Sequence, residues 1–316
     1  MNSIPISSYN ELFDNQKLFG KKIMHAFKPG VHSVLAVAPT QCGKTGSILA
    51  AMFISQVPTS HIFLITGLSS VDWVEQSASR IPISNIFHRN TLHKFVRTVS
   101  RLDNVLIFVD ECHIASKPGQ SIPNSFASLP SHRIVFVSAT PDLNFFKPKN
   151  VLLPGFAIVR MPPPKDYIPI EHFLARKQVL QCKNLCASSQ HILEIVPFLN
   201  APKYHIIRTG RHAFHDLTIA NFKQVLDPDF VFISMPNNPT LVLNDILSSP
   251  PAVHTFIFIK DTLRCAITIN KLFIGVVYDR FTLFPSHSSI IQGLAGRVTG
   301  YHSNLDIIIF SFPDLI

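Results

Sequence analysis

At 316 residues, with 47% hydrophobic and 15% charged side chains, the chain has the length of two domains of about 150 residues and the apolar content to give each a core, which excludes a disordered polypeptide. The net charge of +9, shared by both halves without a polybasic tail, suits a polyanionic partner through phosphate neutralisation and counterion release. No apolar run approaches the ~18 residues of a membrane span, the polar start lacks a basic-then-apolar leader, and five scattered cysteines include no C-x-x-C pair, so a reducing intracellular compartment (cytoplasm or nucleus) without disulfides or structural zinc is expected.

Residues 1–30 read as a helix-bearing segment containing Leu12-Phe13-Asp14-Asn15-Gln16, followed by Lys21-Lys22-Ile23. A strand is predicted over 34–38, ending in Ala38-Pro39-Thr40-Gln41-Cys42-Gly43-Lys44-Thr45, with an apolar helix from Ser47 to Phe53. Strand, turn and helix N-terminus in that order form a cradle for the phosphates of a nucleoside triphosphate. Backbone N–H groups of the turn and the helix dipole hold the anion, Lys44 reaches the β- and γ-phosphates, and the Thr45 hydroxyl ligates Mg²⁺. A second strand, 61–66, ends at Thr66-Gly67-Leu68-Ser69-Ser70, whose hydroxyls either donate to phosphates or cap the helix that carries Trp73.

The apolar, β-branched run from Val105 to Val109 reads as a buried parallel strand that ends in Asp110-Glu111-Cys112-His113. An acidic pair there lies in the crevice where parallel sheets bind ligands. Asp110 is the candidate holder of Mg²⁺ and Glu111 the candidate base for an attacking water. A further strand, 133–138, runs into Ser138-Ala139-Thr140, whose hydroxyls can take hydrogen bonds from the acid-and-His segment.

Pro154-Gly155, Pro162-Pro163-Pro164 and Pro169 mark a stiff linker over 155–169, between a first domain of 1–154 and a second of 170–316. Strands are predicted in the second domain near 204–208, 230–234, 255–259, 272–278 and 306–312. Arg208-Thr209-Gly210-Arg211 ends the first of these and Lys260-Asp261-Thr262-Leu263-Arg264 the third, both candidate grips on a nucleic-acid backbone; Asp279 and Arg280 read as a local ion pair. Near the end stands Gln292-Gly293-Leu294-Ala295-Gly296-Arg297-Val298-Thr299-Gly300-Tyr301.

A phosphate loop written APTQCGKT, then DECH, then SAT, each at a strand end, resembles a superfamily 2 helicase of the DExH type. The resemblance implies an α/β fold of two tandem RecA-like domains, each a mostly parallel sheet flanked by helices, with ATP and Mg²⁺ in the cleft between them. It implies ATP-driven movement along, or unwinding of, nucleic acid. Gln16 then falls where the family's glutamine reads the adenine edge, as its amide can donate and accept at once. His113 with Ser138 and Thr140 falls where hydrolysis is coupled to the second domain. The loop after the second strand, with Thr66 and Ser69, and the Lys260–Arg264 segment fall where the family touches nucleic acid. The last motif, opened by Gln292, contains Arg297, which the resemblance brings to the γ-phosphate, where an arginine stabilises the transferring phosphoryl group.

The departures are Ala38 for the usual first glycine, Gln41 for another glycine, one extra residue between Gln292 and Gly296, and Gly300 where a second arginine often stands. The compact plan and the GRVTGY ending resemble helicases of large DNA viruses or phages, which favours DNA over RNA and leaves strand separation or stimulation to a protein partner. A duplex translocase without strand separation and a catalytically weak nucleotide-binding scaffold are the alternative readings.

Overall fold

The computed structural model describes residues 8–69, 71–114, 119–126, 129, 132–140, 155–235, 240–260, 268–301 and 304–316. The chain divides into two compact units, Met1–Pro164 and Lys165–Ile316.

In the first unit, α1 (Asp14–His25) precedes β1 (Ser33–Val37) and α2 (Lys44–Ile54). Then come β2 (Ile62–Thr66), α3 (Val71–Arg80), β3 (Ile86–Phe87), α4 (Leu92–Val99), β4 (Leu106–Asp110), α5 (Ser121–Phe126), β5 (Arg133–Ser138) and β6 (Phe156–Arg160). The strands form one six-stranded sheet in the order β3-β2-β4-β5-β1-β6, and every pairing is parallel. Val34, Leu35 and Ala36 are fully buried, as a central parallel strand covered on both faces requires. Phe63, Phe95, Phe126 and Phe136 pack edge-to-face in succession and tie α4 and α5 to the sheet. On α1, a Cβ at Gly20 would stand 2.5 Å from the Ala50 Cβ, so the glycine lets α1 approach α2 closely.

Residues 156–160 depart from the sequence reading, which placed them in the linker. They form β6 in register with β1. Ala157, Ile158 and Val159 carry the apolar, β-branched character of an edge strand, and the prolines that suggested a linker flank it, at Pro154 and from Pro162 onward.

The second unit contains α6 (Ile170–Ala175), β7 (Val179–Gln181), α7 (Gln190–Leu193), β8 (Tyr204–Thr209), α8 (Ala213–Val225), β9 (Val231–Ser234) and α9 (Thr240–Ile246). It continues with β10 (Thr255–Lys260), β11 (Ile274–Tyr278), α10 (His287–Ile291), α11 (Leu294–Arg297) and β12 (Ile308–Ser311). Its six-stranded sheet has the order β7-β12-β11-β8-β10-β9, again with every pairing parallel. Phe222 packs edge-on against Phe256 and Phe258, and Tyr278 stacks on Phe310. Among the described residues no helix is long and apolar enough to cross a membrane.

At the start of β8, fully buried His205 stacks on Phe256 with centroids 4.6 Å apart, and its Nε2 lies 3.0 Å from Nδ1 of His254. Burial first, then His254 and Lys203, pushes its pKa from the ordinary 6.5 down to about 3. The unfolded chain therefore binds a proton that the folded chain refuses. This stabilising contribution is complete above pH 6.5 and is lost as pH falls towards 3. Urea midpoints measured from neutral to acid pH are expected to fall less steeply in His205→Phe than in the wild type; parallel curves would refute this.

Candidate nucleotide and nucleic-acid sites

In the first unit the strand ends converge on the turn after β1. Ala38 is buried and its N–H donates to the Ser138 carbonyl (3.1 Å), so the turn is anchored to β5. Gln41 takes φ 58° and Gly43 φ 94°. Glutamine in the left-handed region is strained, where the glycine usual in such loops would not be. Gly43 is needed twice, since a Cβ there would also lie 2.5 Å from Gln16 Nε2. Pro39, Thr40 and Cys42 complete the turn, with Thr40 and Cys42 buried. Cys42 Sγ lies 3.5 Å from Met161 Sδ, and burial raises its pKa to about 11, which makes it an inert packing thiol.

α2 begins at Lys44, so Lys44 and Thr45 occupy the first turn, where backbone N–H groups lack intrahelical acceptors. Lys44 Nζ lies 3.9 Å from Glu111 Oε1. Glu111 is 2% exposed, has φ 49°, and its Oε2 is buried without a hydrogen bond. Next to it, Asp110 accepts from the Glu111 N–H at Oδ1 (3.0 Å) and from Trp73 Nε1 at Oδ2 (3.1 Å). Burial, then the Glu111 charge, raises the Asp110 pKa to about 6. His113 Nδ1 is 3.6 Å from Glu111 Oε2 and 3.1 Å from Ser138 Oγ, which also accepts the Thr140 N–H at 3.1 Å. Burial lowers the His113 pKa, which favours its neutral form.

The adjacent Asp110 and Glu111 carboxyl groups and the Thr45 hydroxyl are hard oxygen donors of the kind that suits Mg²⁺. The orphaned Glu111 oxygen fits a hydrogen-bonded water.

Gln16 is 8% exposed and both ends of its amide are engaged. Oε1 accepts the Phe13 N–H at the start of α1 (3.1 Å), and Nε2 donates to the Gly43 carbonyl (3.4 Å). The side chain is a strut between α1 and the phosphate loop. Thr66 is fully buried, with its hydroxyl accepting the Leu68 N–H at 3.3 Å, whereas Ser69 is exposed. Ser70 lies outside the described residues.

In the second unit, Gln292 and Arg297 are buried at the loop around α11. Arg297 Nη2 donates to the Gln292 carbonyl at 3.0 Å, and Nε to that of Gly293 at 3.4 Å. The far end of this loop is pinned. Gly300, at φ 100°, exchanges backbone hydrogen bonds with Ile168 (2.9 and 3.0 Å), and buried Lys271 donates to the Thr299 and Tyr301 carbonyls (2.6 and 3.0 Å). Glycine suits that turn because a side chain would be strained there.

The solved structures most similar in shape include the Escherichia coli DEAH/RHA helicase HrpB, with a TM-score of 0.59 at 15% identity over 93% of this chain. Another is Saccharomyces cerevisiae Dbp5 bound to RNA and ADP BeF3, with a TM-score of 0.58 at 13% identity over 98% of this chain and 90% of Dbp5. The fold is the one these two helicases share. Two tandem RecA-like domains account for the two parallel sheets. The chain spans 42% of the length of HrpB. By sequence, the chain is 24% identical over 302 residues to an uncharacterized protein of Acanthamoeba polyphaga mimivirus, covering 85% of this chain and 77% of the other. No protein-family model matches.

Within this helicase fold, the residues expected to grip nucleic acid are placed unevenly. Arg208 is buried, and its Nη1 pairs with Asp279 Oδ1 at 3.0 Å, while Ser311 donates to Oδ2 at 3.3 Å. It is an internal ion pair across β8, β11 and β12 rather than an outward cation, and it gives Asp279 a partner across the sheet. Thr209 is buried too, within 3.2 Å of the Ile259 carbonyl and 3.1 Å of the Gly210 carbonyl. Lys260 is partly exposed at the end of β10, and Arg264 lies outside the described residues. Sequence reasoning missed Trp73 and Lys271. Trp73 is the chain's single tryptophan, and Lys271 follows polar Asn270, which gives no sign of burial.

Proposed function

We propose that the chain is a nucleic-acid-stimulated nucleoside triphosphatase of the helicase type, coupling ATP hydrolysis to movement along, or unwinding of, DNA or RNA. The observation that carries the reading is the meeting of Lys44 with Asp110 and Glu111 beside a glycine-capped helix start. Thr45 and Asp110 are the residues that would hold Mg²⁺, which when bound supplies charge neutralisation for the phosphates. Residues 38–45 cradle the phosphates, and Lys44 balances their charge. Glu111 orients a water and takes its proton at Oε2. Neutral His113 passes the state of Glu111 to Ser138, whose hydroxyl also holds the Thr140 amide. Arg297 is proposed to meet the charge of the transferring phosphoryl group, for which its guanidinium has to leave the Gln292 and Gly293 carbonyls. Ser69 and Lys260 are the proposed backbone contacts; a protein partner for strand separation remains part of this reading.

Phosphate release measured with single- and double-stranded DNA and RNA tests the proposal. Stimulation by at least one polymer is expected. Nucleotide binding with no release under any condition would sink the hydrolase reading and favour a scaffold. Strand displacement on tailed duplexes separates unwinding from duplex translocation.

Because its amide is occupied, Gln16 is expected to support the loop more than to select the base. Gln16→Ala should weaken binding of ATP, GTP, CTP and UTP alike, by about fivefold to tenfold, the worth of one such hydrogen bond. A loss confined to ATP would show that Gln16 reads adenine.

A further inference from the structure

At the carboxyl edge of the second sheet, a chain of short hydrogen bonds crosses three strands. α8 joins β8 to β9, and the sheet order places β10 between those two strands. From the first turn of α8, His215, 1% exposed, reaches both flanking strands. Its Nδ1 lies 2.6 Å from Thr209 Oγ1 at the end of β8, and its Nε2 2.7 Å from Ser234 Oγ at the end of β9. Thr209 Oγ1 also lies 3.2 Å from the Ile259 carbonyl of β10 and 3.1 Å from the Gly210 carbonyl.

Counting donors gives the arrangement in which Thr209 keeps its hydrogen bond to a carbonyl. A threonine hydroxyl has one proton, and two of its three neighbours here are carbonyls, which only accept. With Thr209 donating to a carbonyl, its oxygen accepts from His215 Nδ1–H. A neutral imidazole then has only an acceptor at Nε2, so Ser234 donates its single proton inward. Burial, with Lys260 of β10 adding to it and Asp216 of α8 opposing it, disfavours the charged imidazolium. Ser234 itself is exposed. In this arrangement it presents only lone pairs to solvent, at the edge where Lys260 ends β10 and where parallel sheets bind their ligands.

We infer that Ser234 is a contact for a nucleic-acid phosphate, and that His215 switches tautomer to release the Ser234 proton for it. In the bound arrangement the Ser234 hydroxyl donates outward to a phosphate oxygen and accepts from Nε2–H, while the Thr209 hydroxyl turns from the carbonyl to donate to Nδ1. The imidazole proton moves from Nδ1 to Nε2 through solvent exchange, and no net proton is taken up or lost. Thr209, buried and out of reach of a phosphate, would sense the polymer through this relay, and the Ile259 carbonyl would lose a donor when it does. The inference rests on the nucleic-acid-binding reading above.

Nitrogen NMR of the His215 ring, with and without single-stranded oligodeoxynucleotide or oligoribonucleotide, tests it. The expected result is that the protonated-type signal passes from Nδ1 to Nε2 on binding. Ser234→Ala, at an exposed position, should abolish that exchange and weaken binding about tenfold, as for a hydrogen bond to a charged group. Ser234→Thr, which keeps the hydroxyl, should retain both. Binding with an unchanged ring, or wild-type affinity in Ser234→Ala, overturns the relay and leaves the nucleic-acid reading standing. If neither polymer binds the wild type, both fall together.

Discussion

Glu111→Gln is expected to lower triphosphate hydrolysis by at least about a hundredfold while nucleotide binding is kept or tightened. The carboxylate is 2% exposed, its Oε2 has no hydrogen bond, and its backbone is in the left-handed region at φ 49°. A strained, buried carboxylate with an unsatisfied oxygen is costly to maintain for stability alone, and such costs cluster at functional sites. The amide keeps the shape but cannot take a proton. Removing one of two adjacent negative charges also relieves Asp110, whose pKa of about 6 is raised in part by Glu111. Lys44→Ala should differ by weakening binding as well as turnover, because it leaves two carboxylates facing the phosphates. Initial rates together with fluorescent-nucleotide titration check both variants. Glu111→Gln turning over at the wild-type rate would remove Glu111 from the mechanism.

Asp279→Ala is expected to destabilise the second unit by about 3–5 kcal/mol, read as a lower urea midpoint. It strands the Arg208 guanidinium, already lacking a partner at Nε, in a buried site whose carboxylate is gone. The Ser311 hydroxyl loses its acceptor in the same step. Replacing both partners, as in Arg208→Leu with Asp279→Leu, should cost much less than the single change, because no uncompensated charge remains. With two compact units, unfolding should be followed by a probe assigned to the second one. Equal losses in the single and double variants would show that the pair acts only through packing.

Much of the architecture was legible because parallel strands buried on both faces read as unbroken apolar runs. The runs at 34–38, 105–109 and 255–259 each lie within a residue of the observed β1, β4 and β10. β3 and β7, with two and three residues, are too short to leave such a signature, and β6 was hidden by the prolines that flank it. Lys44, Asp110, Glu111, His113 and Ser138 stand at strand or helix ends, where topology forces them together, so order along the chain was enough. Arg208 was read as a surface cation because sequence shows a charge but not the Asp279, 71 residues away, that faces it. Gln16 has the same history: its type suits a base edge, but only coordinates show both ends of its amide taken within the chain.

The paired backbone bonds between Ile168 and Gly300 carry one more consequence. The polypeptide leading into the second unit is stitched directly to the turn that follows Arg297, with Lys271 holding the other carbonyls of that turn. Residue 168 and the turn after Arg297 are therefore held together by backbone bonds that bypass the sheet. The first residues of the second unit thus steady the turn next to the side chain proposed to meet the triphosphate.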